Sequence, residues 1–232
     1  MSTKLLKYGF AISILINSLF VFKHVKRIYW EVFEKHSFVT YNYERDKLFE
    51  VMKTDTTDIV FLGNSITQHY EIFEFLNNPN VRNRGIGGET TIGALQRLET
   101  ITKGKPDKIF LMLGINDLAI SRSASDILIT YKEIINQIKN ESPATKIIIE
   151  SVLPVSKFKE EIVCCTNANE KIIKLNEGLK KISKSYNITY LDLHQHFMND
   201  GGLNLDLSVD GLHINGNGYH IMSEIVKPYL NK

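Results

Sequence analysis

The sequence predicts an α/β fold: a three-layer α/β/α sandwich around a five-stranded parallel sheet. Two patterns carry that expectation. Short apolar runs recur along the chain, and two of them, "KIFLML" (108–113) and "KIIIE" (146–150), are nearly unbroken, as strands covered on both faces must be. Between the runs, apolar residues recur at helical spacing. The strand candidates in order are Asp58–Leu62, Val81–Arg84, Lys108–Leu113, Lys146–Ser151 and Ile188–Leu191. A helix over Tyr43–Met52 leads into the first of them. Ile127, Leu128, Tyr131, Ile134, Ile135 and Ile138 form one helical stripe. Ile172, Leu175, Leu179 and Ile182 form another, and Ile221, Met222, Ile225, Val226 and Tyr229 a third. These stripes are core-facing, and no cofactor is read from them. Five strands with helical crossovers make a doubly wound sheet, whose ligand site lies beyond the carboxyl ends of the strands.

The chain of 232 residues is long enough for one good-sized core and a short appendage. Its net charge of +2, with lysines spread along helix faces, leaves no nucleic-acid footprint. Cys164 and Cys165 are adjacent, so they build neither a disulfide framework nor a metal-ligand spacing.

The appendage is residues 1–40; the main domain runs from 41 to 232. Within the appendage, Tyr8–Phe22 carries no charge, while Lys4 and Lys7 precede it and Lys23, Lys26 and Arg27 follow. Leu5 and Leu6, with Lys7 snorkelling, extend it toward the roughly 20 residues of a membrane-spanning helix. It also suits the apolar region of a secretory signal, but no small-residue cleavage site follows. An uncleaved N-terminal anchor is therefore expected, with the domain outside the cytoplasm. A buried helix is the alternative, and the segment's lack of a polar face weighs against it.

The first three strand candidates are each followed by residues suited to chemistry. Gly63-Asn64-Ser65 ends the first, "NRGIGGETT" (83–91) follows the second, and "GIND" (114–117) follows the third. "DGLH" (210–213) precedes the last helix. Parallel strands put the first three on one rim, and the fourth can fold over it. Ester cleavage needs a hydroxyl, a base, a group that orients the base, and donors aimed at the oxyanion. Ser65 offers the hydroxyl, His213 the imidazole, and Asp210 the orienting carboxylate. The backbone N–H groups of Ser65 and Gly88 and the side-chain amide of Asn116 offer three donors. Taken alone, Ser65 is an ordinary turn serine and Gly87-Gly88 an ordinary turn. Their joint occurrence in this order is what is specific. His69, His194, His196 and His220 lack a partner pattern, and Gly-x-Ser-x-Gly is absent.

These four segments resemble the blocks of the SGNH hydrolase superfamily, also called GDSL-type lipases and esterases. "NRGIGGETT" and "LMLGIND" are similar to the branch near the platelet-activating-factor acetylhydrolase catalytic subunits and bacterial carbohydrate acetylesterases. The resemblance covers roughly Tyr41–Leu230. It implies a flavodoxin-like sandwich and acyl-ester hydrolysis with no metal and no cofactor. It matches Ser65 to the nucleophile, Gly88 and Asn116 to the oxyanion hole, and Asp210 and His213 to the Asp-x-x-His block. One departure stands out: Asn64 occupies the place of the aspartate in the usual Gly-Asp-Ser. Asn keeps the size and turn chemistry and loses a charge. The family also suggests acetyl esters of sugars as substrate. The alternatives are a lysophospholipase or longer-chain esterase, an O-acetyltransferase using the same site, or a non-catalytic binding module.

Overall fold

The computed structural model describes residues 21, 24–25, 44–159 and 167–231. Apart from Val21, the apolar segment Tyr8–Phe22 lies outside the described residues, as does the Cys164–Cys165 pair. Among the described residues, no helix is long and apolar enough to cross a membrane.

Residues Leu48–Lys232 form one compact unit. It contains β1 (Ile59–Gly63), α1 (Ser65–Gln68), α2 (Ile72–Leu76), β2 (Val81–Gly85), α3 (Thr91–Gln96), α4 (Glu99–Thr102), β3 (Lys108–Met112), α5 (Ile115–Ala119) and α6 (Ala124–Glu141). It continues with β4 (Lys146–Glu150), α7 (Ala168–Tyr186), β5 (Thr189–Leu191), α8 (His194–Phe197), a small hairpin of β6 (Met198–Asn199) and β7 (Gly202–Leu203), and α9 (Gly216–Val226). The five main strands pair in the order β2-β1-β3-β4-β5, all parallel. That is the expected doubly wound, flavodoxin-like order, with strand ends displaced by a residue from those read in the sequence. Of the helix expected over Tyr43–Met52, residues 44–51 are helical.

Strand alternation divides the core into two layers. Val60 and Leu62 of β1, Ile109 and Leu111 of β3, and Ile147 and Ile149 of β4 face α3, α6 and α7. Ile59, Phe61, Phe110, Met112 and Ile148 face the other way, toward Tyr70, Phe197, Tyr219, Met222 and Val226. Phe61 and Phe110 stack across the β1–β3 pair with centroids 4.5 Å apart. The helical stripes are buried as their spacing requires, Leu128 alone among the first two remaining partly exposed. Each fully buried Leu or Ile contributes roughly 1.5–3 kcal/mol relative to exposure.

This order sets the site. The chain leaves β1, forms β2 on one side, then returns to form β3 on the other. The crevice beyond β1 and β3 is therefore the switch point where such sheets bind ligands. Gly63 of β1 is in register with Gly85 of β2 and Met112 of β3. Gly85 must be small: a Cβ there would sit 2.3 Å from the Gln68 backbone nitrogen. The close approach brings the end of β2 against the helical turn that Ser65 opens.

Candidate active site

Ser65 is the first residue of α1, directly past the carboxyl end of β1. Asn64 is its N-cap; the buried side chain accepts a hydrogen bond from the Ile66 N–H at 3.0 Å. An uncharged residue at that position performs the capping without burying a charge. Ser65 itself has ordinary negative φ, so no strained elbow presents its hydroxyl.

The histidine arrives from the other end of the chain. The Ser65 Oγ lies 3.0 Å from His213 Nε2, and His213 Nδ1 lies 3.2 Å from Asp210 Oδ2. Serine, imidazole and carboxylate thus form one continuous hydrogen-bonded chain. A tight turn makes it possible. Asp210 Oδ1 accepts from the backbone N–H groups of Leu212 at 3.0 Å and His213 at 2.9 Å. Ser208 donates its hydroxyl to the His213 carbonyl and accepts from the Gly211 N–H. Asn215 then caps α9, accepting from the Gly218 N–H at 3.1 Å.

Burial alone would raise the pKa of Asp210. The two backbone N–H donors and the His213 ring outweigh it, and the carboxyl is pulled down to about 2. The group that faces His213 Nδ1 is therefore an anion at any working pH. Two further groups border the pair. The His69 ring lies 5.7 Å from the His213 ring, tilted by 55°. Lys159 Nζ lies 3.7 Å from Asp210 Oδ2.

The remaining two loops close around Ser65. Gly88 has φ 72°, a conformation that favours glycine. The residues on either side of it are tied down: the Gly87 N–H donates to Gln68 Oε1 at 2.6 Å, and the Asn116 side-chain amide donates to the Glu89 carbonyl at 2.9 Å. Thus the loop after β2 is bonded both to the Ser65 turn and to the loop after β3. The backbone N–H groups of Ser65 and Gly88 make no hydrogen bond among the described residues. A second strap lies behind the first. Asp117, wholly buried, accepts from the Thr91 N–H at 2.9 Å, the Thr91 hydroxyl at 2.7 Å, and Arg122.

The structure thus joins Ser65, His213 and Asp210, and it sets Gly88 and Asn116 on two loops bonded to one another. Sequence reasoning passed over Gln68, Glu89, Asp117, Arg122 and Lys159, which hold or border these residues, and set His69 aside as lacking a partner pattern. Among the described residues, no group of three or more His, Cys, Asp or Glu side chains is placed to hold a metal ion.

A doubly wound sheet carrying such a chain at its switch point defines a class, an α/β protein equipped for nucleophilic serine chemistry. Comparison with known proteins makes the class specific. The model of the GDSL-like Lipase/Acylhydrolase family matches residues 61–221, and the chain belongs to that family. It is an ester hydrolase. Platelet-activating factor acetylhydrolase IB subunit alpha2 of human and of rat is 30% identical over 184 residues, 76% of this chain and 76% of the relative. A Streptococcus pneumonia protein described as a platelet activating factor superposes with TM-score 0.77 at 26% identity, covering 84% of this chain and 95% of that one. A GDSL-like lipase of Bacteroides thetaiotaomicron, 24% identical, shares the fold with TM-score 0.72 over 82% of this chain and 97% of its own.

Proposed function

We propose that the chain hydrolyses short acyl esters, acetyl first among them, on carbohydrate hydroxyls, through an acyl-enzyme on Ser65. The observation that carries this reading is the unbroken Ser65–His213–Asp210 hydrogen-bonded chain. Ser65 Oγ attacks the ester carbonyl as His213 Nε2 takes its proton. Asp210 holds Nδ1–H and steadies the imidazolium. Negative charge on the carbonyl oxygen is met by the Ser65 and Gly88 N–H groups and the Asn116 amide. Each such donor is worth about 3 kcal/mol in the transition state. His213 then protonates the departing alcohol. Water, giving its proton to the same ring, attacks the acyl carbon and frees the acid and Ser65.

The acetyl preference draws support from the relatives named as acetylhydrolases. The carbohydrate preference draws support from a different similarity. An N-acylneuraminate cytidylyltransferase of Escherichia coli is 29% identical over 184 residues, 74% of this chain and 41% of the longer relative. In this reading Tyr8–Phe22 anchors the domain at an extracytoplasmic membrane surface, which its uncharged composition supports. Fractionation of cells into membrane and soluble material tests the anchor.

The decisive experiment is hydrolysis of p-nitrophenyl acetate. Ser65→Ala should lower turnover by about 10⁴-fold or more. Wild-type turnover in that variant would remove Ser65 as nucleophile. A panel running from acetate to octanoate esters, lysolipids and acetylated glycans ranks the substrates. Loss of acetate in favour of octanoate or lysolipid would replace the short-chain reading.

A further inference from the structure

Glu89 and Arg97 form an ion pair that the ester-hydrolysis scheme does not use. Both are buried, at 9% and 6% exposure. Arg97 Nε donates to Glu89 Oε1 at 2.5 Å, and Nη2 donates to Oε2, so the guanidinium grips both carboxylate oxygens. Nη2 also donates to the Arg84 carbonyl on β2 at 2.7 Å, which fixes the guanidinium to the sheet. The Arg97 guanidinium lies 5.5 Å from the Phe49 ring centroid. Buried ion pairs add little net stability, because desolvating two charges offsets their attraction. What such a pair does fix is geometry.

The geometry fixed here belongs to the oxyanion loop. Glu89 directly follows Gly88, and its own carbonyl accepts the Asn116 side-chain amide at 2.9 Å. A carbonyl at that spot selects the donor end of the Asn116 amide, since the acceptor end would set two oxygens against each other. One N–H of Nδ2 is thereby engaged and the second is left to point elsewhere. We propose that Glu89, gripped by Arg97, is the positioning residue that orients the Asn116 amide for oxyanion binding. This rests on the reading of Ser65, Gly88 and Asn116 as the reacting site. Glu89 acts through Asn116 and does not touch the substrate.

The path is short and specific. Arg97 ties Glu89 to β2, and the Glu89 carbonyl sets the Asn116 amide. Gly88, with φ 72°, has little stiffness of its own. Loosening the grip lets the Glu89 backbone shift, and its carbonyl, which belongs to the peptide with Thr90, moves with it.

The test is a double-mutant cycle in the full chain with p-nitrophenyl acetate. Glu89→Gln breaks the charge pair, and Arg97→Lys keeps the charge while losing the two-pronged grip. Each variant is made alone and in an Asn116→Ala background, with unfolding midpoints recorded. Alone, each should lower kcat by about 10- to 100-fold, as small misplacements of catalytic groups do, with KM changing less than about twofold. In the Asn116→Ala background the further loss should shrink to less than about twofold, because the group being positioned is gone. The same factor in both backgrounds would overturn the proposal, as would a loss residing in KM. If Glu89→Gln does not fold, Arg97→Lys carries the cycle. Unchanged turnover in Ser65→Ala sinks the underlying site; an inert Ser65→Ala with an additive cycle sinks only the role of Glu89.

Discussion

The two halves of the catalytic rim differ in how firmly they are held. On the oxyanion side, Glu89, Arg97 and Asp117 are all buried, and the Glu89–Arg97 ion pair and the Thr91–Asp117 hydrogen bonds strap the segment after β2 to its surroundings. On the acid–base side, the His213 and Asp210 side chains are 29% and 38% exposed, on a turn held by backbone and hydroxyl hydrogen bonds. The difference follows from the work each half does. Oxyanion donors stabilise developing charge only if they are oriented before it appears, so rigidity serves them. The imidazole must take a proton from serine, pass it to an alcohol and then accept one from water, so it must stay open to both.

Breaking the open half should have the largest effect. Asp210→Asn leaves an oxygen to accept from the Leu212 and His213 N–H groups, so the turn can keep its shape. It places an N–H donor where Oδ2 faced Nδ1. The ring must then present Nδ1 as acceptor, which puts its hydrogen on Nε2 and removes the base that Ser65 needs. A loss of about 10⁴-fold in kcat is expected with little change in unfolding midpoint. The low pKa of Asp210 adds a linked expectation. A carboxyl lowered from 3.8 to about 2 contributes stability above the higher value and loses it as pH falls through the lower one. Urea unfolding between pH 2 and 4 should show that slope in the wild type and not in the variant.

How much of this was legible beforehand depends on where a residue's partners lie. Ser65, Asn116 and His213 stand at the ends of recognisable elements, and strand order brings such ends together. The two helical stripes at Ile127–Ile138 and Ile172–Ile182 were equally plain, because amphipathic spacing is a local property. Glu89 and Arg97 were not legible. A charged residue in a turn and another just past a short helix read as solvated, and only tertiary packing buries them. Asp117 was hidden in the same way, its partner Thr91 lying on another segment. His69 carried a signal that could have been used, since one turn of helix separates it from Ser65. Glu150 carried another: an acid closing the run "KIIIE" is flush with residues that must be buried.

Glu150 is also where the strapped side's rule fails. It is as buried as Glu89 or Asp117, at 2% exposure, yet its Oε1 has no hydrogen-bond partner. Burial pushes its pKa from 4.5 up to about 8. The folded state therefore holds a proton that the unfolded state gives up from about pH 4.5. Stability contributed by that proton is complete below the unfolded value and is lost as pH rises to about 8, a total on the order of 5 kcal/mol. Glu150→Gln keeps the shape and removes the titration. Its stability should match the wild type at pH 4 and exceed it increasingly up to pH 8, with kcat unchanged. Parallel unfolding curves at every pH would mean that the carboxyl is already ionised in the fold.

The smallest effect belongs to Lys159, which tests whether the open half depends on its surface charges at all. Its ammonium lies 3.7 Å from the same Asp210 oxygen that faces His213 Nδ1. Two cations then draw on one carboxylate, and part of the stabilisation meant for the imidazolium goes to the lysine. Both partners are partly exposed, at 23% and 38%, so water screens the attraction and its worth is below about 1 kcal/mol. Lys159→Gln should accordingly raise kcat by no more than about threefold at low salt. The gap should close as ionic strength shortens the screening length to about 3 Å near 1 M salt. A loss of activity that salt does not alter would point instead to packing. Lys159 and Phe158 both lie against Gly211, where a Cβ would meet them at 2.9 and 2.7 Å. The lysine would then act as a brace for the histidine's turn, and the exposed half would prove more tightly held than its solvent contact suggests.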